Sequence, residues 1–70
     1  MTNHSPLDLV ARRHLYESGQ TVAGLAKAMG VSELTANQKL LRNNLDMREI
    51  KILGQLVGVP ASQIFAETES

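Results

Sequence analysis

The chain has no cysteine and no tryptophan, one tyrosine (Tyr16), one phenylalanine (Phe65), and no excess of charge of either sign. Without cysteine there is no disulfide scaffold and no thiolate metal site, so an unstapled fold of this size is expected in a reducing compartment, the cytoplasm. Sparse aromatics beside abundant Leu, Val, Ile and Ala disfavour a β-sandwich and favour short packed helices. No apolar run approaches the roughly 20 residues of a membrane span. Met1 to Ser5 is short and polar, unlike the basic start and apolar run of a secretory leader. Seventy residues make one domain, residues 1–70, with a thin core and no room for a second, catalytic domain.

Zero net charge argues against a simple polyanion binder, because neutralised phosphates supply much of the affinity for nucleic acid. The distribution qualifies the total. Between Thr21 and Asn44 the charges are Lys27, Glu33, Lys39 and Arg42, a local positive surplus. From Leu45 onward Asp46, Glu49, Glu67 and Glu69 outweigh Arg48 and Lys51.

What the chain does have is helix punctuation. Ser5 as cap, Pro6 at the first helical position and Asp8 three residues after the cap predict a first helix. Its small or apolar face is Leu7, Val10, Ala11, Leu15 and Ser18, and Gly19 stops it. Thr21 caps a second helix with Val22, Leu25, Ala26 and Met29 at helical spacing, ended by Gly30. Ser32 caps a third, from Glu33 to about Arg42, closed by Asn43 and Asn44, since Asn tolerates the left-handed conformation. Asp46 with Glu49 forms a capping box for a fourth, whose expected buried face is Met47, Ile50, Leu53, Gly54 and Val57. Gly58 ends that helix, and Pro60 opens a last one docked through Ile64 and Phe65. Residues 1–4 and 67–70 are expected to fray. The fold class is therefore all-α, a compact bundle of about five short helices.

Two helices joined by a turn as short as Gly30-Val31-Ser32 must cross steeply, the geometry of a helix-turn-helix over residues 21–42. The run Thr21-Val-Ala-Gly-Leu-Ala-Lys-Ala-Met-Gly-Val-Ser-Glu-Leu-Thr-Ala-Asn-Gln-Lys-Leu resembles that motif in the Cro and C1 phage-repressor family, also called the XRE family. The Leu25-Ala26 pair and Gly30-Val31-Ser32 carry the likeness. Glu49-Ile50 through Leu53, Val57-Gly58-Val59 and Ile64-Phe65 are similar to the fourth and fifth helices of the family. The sequence departs from the family at Val22, where a backbone-contacting Gln is common, and Gly24 weakens the second helix by about 1 kcal/mol relative to Ala.

The resemblance implies a lambda-repressor-like fold and a third helix whose N-terminal part enters the major groove of double-stranded DNA. With Ala36 and Leu40 facing inward, Glu33, Leu34, Asn37 and Gln38 are the implied base readers. Asn37 and Gln38 suit adenine, Glu33 the amino group of cytosine, and Leu34 a thymine methyl. Thr21, Thr35, Lys39, Arg42 and Asn43 are the implied backbone contacts, with the free N–H groups at the start of the second helix facing a phosphate. A regulator of this kind is expected to act on a pseudo-palindromic operator as a homodimer, at least on DNA, through Ile52, Ile64 and Phe65.

Other readings stand beside these. Leu41 and Ile52 are either a partner surface or scattered surface aliphatics. Arg12, Arg13 and Lys27 can be read as solubilising charge. His4 and His14 have no third ligand cluster, so no metal is expected, and neither a cofactor nor a small-molecule ligand. No Ser-His-Asp, Cys-His or phosphate-cradling Gly motif points to an enzyme. The rival function is a dimerising protein-interaction module or antitoxin-like adaptor with weak or no DNA binding.

Overall fold

The computed structural model describes residues 6–69, which form α1 (Pro6–Glu17), α2 (Val22–Met29), α3 (Glu33–Leu41), α4 (Met47–Val57) and α5 (Ala61–Glu69), with no strand among them. The expected Ser5 cap, His4 and the fray at residues 1–4 lie outside the described residues. Helices α2, α3 and α4 each begin on the capping side chain the sequence supplies. Thr21 Oγ1 accepts from the Gly24 N–H at 3.1 Å, and Ser32 Oγ accepts from the Thr35 N–H at 3.1 Å. Asp46 Oδ1 accepts from the Glu49 N–H at 2.8 Å while Glu49 Oε1 accepts from the Asp46 N–H at 3.1 Å, a complete capping box.

The α2–α3 turn depends on backbone handedness. Gly30 stands at φ 76°, a region that costs a side-chain-bearing residue, and this lets the Val31 N–H reach back to the Ala26 carbonyl at 3.0 Å. Asn43 takes the same left-handed region at φ 56° after α3.

The core is drawn from every helix: Leu7, Val10, Ala11 and Leu15 of α1, Leu25 and Ala26 of α2, Ala36 and Leu40 of α3, Ile50 and Leu53 of α4, and Ile64 of α5. Leu25, Leu40, Leu53 and Ile64 are fully buried, and truncating any such side chain to Ala typically costs about 2–5 kcal/mol. Met47, expected on the buried face of α4, is instead 55 % exposed, as the first residue of that helix. Val57 is half-buried against the core.

Two polar residues of α1 are buried, and both are engaged. Asp8 accepts from Arg12 Nε at 2.7 Å. His14 Nε2 lies 2.6 Å from Glu67 Oε1, which also accepts from Arg13 Nη2 at 2.9 Å. An ionised carboxylate only accepts, so His14 donates from Nε2. This hydrogen bond from His14, followed by one from Gln63 and by the positive charge of Arg13, holds the Glu67 carboxyl below its ordinary value of 4.5. Of residues 67–70, expected to fray, 67–69 belong to α5 and Ser70 lies outside the described residues. Helix α5 continues to Glu69 because Glu67 ties it to α1.

Gly24 has no steric reason to be glycine. A Cβ there would meet only Thr21 Oγ1 at 3.5 Å and Gln20 Oε1 at 3.8 Å, ordinary contacts. Gly24→Ala is therefore expected to stabilise the domain by about 0.5–1 kcal/mol through helix propensity, raising the melting temperature by a few degrees in a circular-dichroism melt. A lower melting temperature would show that α2 does not tolerate the methyl group.

Candidate nucleic-acid interface

Helix α3 is anchored by Ala36 and Leu40, neither of which is exposed to solvent. At 100° per residue, the direction opposite these two is occupied by Leu34, Gln38, Leu41 and Arg42. All four are exposed, Leu34 to 69 % and Leu41 to 41 %. Glu33 is exposed on the first turn. Of the four expected base readers, Leu34 and Gln38 thus share the outward row, while Glu33 is exposed at the start of the helix but lies round toward the side of Asn37.

The fourth, Asn37, is placed differently. It lies on the flank of α3 that faces α1, half-buried, and its amide is already engaged on both sides. Its Oδ1 accepts from Arg12 Nη2 at 2.7 Å, and its Nδ2 donates to the Glu33 carbonyl at 3.1 Å. One lone pair and one N–H remain, fixed in direction by those two bonds. Arg12, expected to be solubilising charge, is the residue that sequence reasoning missed: fastened to buried Asp8, it bridges α1 to the edge of the open face of α3. The Asp8/Arg12 spacing of four signals the ion pair. Nothing in the sequence signals the reach to Asn37.

The expected backbone-contact residues divide in the same way. Arg42 and Asn43 are exposed at the C-terminal end of α3. Thr21 Oγ1 is occupied as a cap, and Thr35 Oγ1 accepts from Ser32 Oγ at 2.9 Å. Lys39 Nζ lies 3.0 Å from Glu49 Oε2 with both side chains largely covered, so its charge is committed to joining α3 and α4. The exposed cations near the α2–α3 unit are Lys27 and Arg42.

The expected dimer surface needs a correction. Ile64 is fully buried, because the first turns of α5 point it at Leu53 and the α4 backbone, and it offers nothing to a partner. Ile52 and Phe65 are half-buried and pack against the core. Phe65 borders a cavity of 210 Å³ with Leu7, Leu45 and Ile50.

No described helix is long and apolar enough to cross a membrane. The described residues define a five-helix, all-α domain with one open helix face. No family model, curated protein or solved structure matches the chain.

Proposed function

We propose that the chain is a sequence-specific double-stranded DNA-binding protein of the Cro/C1 type, a transcriptional regulator of phage, prophage or bacterial origin. The observation that carries this reading is the outward face of α3. A helix held by Ala36 and Leu40 presents Glu33, Leu34 and Gln38 to solvent, with Arg42 at its far end and Lys27 on the preceding helix. A single α-helix with such a row fits the major groove, where side-chain amides and carboxylates read base edges and flanking cations meet phosphates. One reading helix per chain, with few free cations, favours two copies on a pseudo-palindrome with half-site centres about 34 Å apart.

Binding sites selected from a random duplex library supply the test. Gln38→Ala should reduce discrimination between the selected site and random duplex by about 10- to 100-fold while helical circular dichroism is unchanged. Arg42→Gln should weaken binding to both, and the salt slope should fall by about one. Asn37 is a poor probe, because truncating it also cuts the bond to Arg12. Two chains per selected duplex are expected.

Leu34 and Leu41, exposed on the same row, favour a second reading in which α3 docks on a protein partner. A folded chain that binds no duplex in a salt-dependent way would leave that reading in place of the first.

A further inference from the structure

We propose that the 210 Å³ cavity between α1, α4 and α5 is a binding site for a small aryl or alkyl amine, held at the mouth by its ammonium group. The site does not depend on how α3 is read. Leu7 and Ile50, both buried, form its floor, and half-buried Leu45 and Phe65 form its walls. Its polar lining is confined to Asn43, Thr68 and Glu69, of which Asn43 and Glu69 are exposed and so stand at the mouth. No small-molecule ligand is expected from the sequence, because this lining comes from separate stretches of chain that no local motif joins.

The mouth selects by hydrogen-bond polarity and by charge. Thr68 Oγ1 donates its hydrogen to the Ile64 carbonyl at 2.7 Å, so toward a ligand it can only accept. The Glu69 carboxylate also only accepts, and Asn43 adds a further carbonyl oxygen, its amide nitrogen being the one donor side chain of the lining. Among the described residues that line the cavity, none is cationic. An anionic ligand would therefore meet Glu69 as a like charge, whereas an alkylammonium brings three N–H donors and the complementary charge. Size sets the rest. An apolar cavity of about 150 Å³ takes benzene, so this one admits a ring with a tail of about two or three further atoms. The body of such a ligand is received by the four apolar side chains, with Phe65 as an aromatic neighbour.

The experiment titrates the full chain, labelled with nitrogen-15 for nuclear magnetic resonance, with three probes of similar size: 2-phenylethylamine, 2-phenylethanol and phenylacetate. With the amine, amide shifts at Leu45, Ile50, Phe65 and Thr68 should saturate at a dissociation constant of about 1 mM, the scale for so small a ligand. The alcohol should bind about two- to fivefold more weakly, the worth of one solvent-exposed ion pair, and phenylacetate more weakly still. Glu69→Gln, at an exposed position, should bring the amine down to the affinity of the alcohol and leave the alcohol unchanged. Leu45→Trp should fill the cavity and abolish the shifts with every probe; where that chain does not fold, the Glu69→Gln comparison decides. Equal affinity for amine and alcohol, or an amine unaffected by Glu69→Gln, overturns the ammonium preference and with it the proposal. So does the lack of a saturating shift with any probe. Shifts at the same amides that follow protein concentration without a probe would assign the cavity to a second copy of the chain and overturn it equally.

Discussion

Gly54→Ala is expected to lower the stability of the domain by about 2 kcal/mol net. The added Cβ would stand 2.6 Å from the Val59 carbonyl oxygen, with the Ala61 nitrogen at 3.5 Å and Ile64 Cδ1 at 3.6 Å. The nearest atom is backbone, and it cannot retreat cheaply. Gly58 and Val59 both donate to the Gly54 carbonyl, at 2.8 and 3.0 Å, so the turn into α5 is fastened to the residue that would push it away. Overpacking of this kind costs about 3 kcal/mol, at the upper end of its usual range, and the helix propensity of alanine returns about 1 kcal/mol. In a domain of this size the net change corresponds to a melting temperature about 10 °C lower. The same substitution at Gly24 is expected to act in the opposite direction, so the pair of melts separates steric demand from propensity. A Gly54→Ala protein melting at or above the wild-type temperature would mean that α4 and α5 do not approach this closely.

Arg12→Ala is expected to cost about 2 kcal/mol. Asp8 is fully buried, and Arg12 Nε at 2.7 Å supplies its positive counterpart. Removing one partner of a buried ion pair usually costs about 3–5 kcal/mol, and the value is reduced here because the Arg12 side chain is 37 % exposed and partly screened by solvent. The substitution also releases Asn37 Oδ1 and loosens α1 from α3. Adding Asp8→Asn to the Arg12→Ala chain removes the buried charge at nearly constant shape, so urea unfolding should show about half of the loss recovered. If Asp8→Asn instead deepens the loss, Asp8 is held chiefly by partners other than Arg12.

The parts of the fold that were legible in sequence are those set within one helical turn. Thr21, Ser32 and the Asp46/Glu49 box each act over three residues, and Gly30 and Asn43 act on their own backbone dihedrals. The inward faces of α2 and α3 followed from periodicity alone. Met47 failed because periodicity assigns a direction, whereas burial also requires a neighbour at that height. Ile64 was legible as the residue that docks α5 on the core, but sequence does not reveal how closely Gly54 lets α5 approach, or that this leaves nothing of Ile64 for a partner. At the candidate interface, Leu34 and Gln38 were legible as outward residues. The commitment of Asn37 and Lys39 was not, since it depends on Arg12, 25 residues before Asn37, and on the first turn of the next helix.

The tie between α1 and α5 has a consequence for synthesis. Arg13 and His14 wait for Glu67 across 54 and 53 residues, and Ile64 joins the core that Leu7, Leu15 and Leu53 share only after the chain has turned at Pro60. Contacts of such long range carry a loop-closure cost that must be met before they contribute, and they dominate the time a small domain needs to fold. On the ribosome, α2 and α3 emerge early and can pair locally, but the core stays open until Glu67 has left the exit tunnel. The nascent chain therefore acquires α3 before it acquires the stability to hold that helix in place.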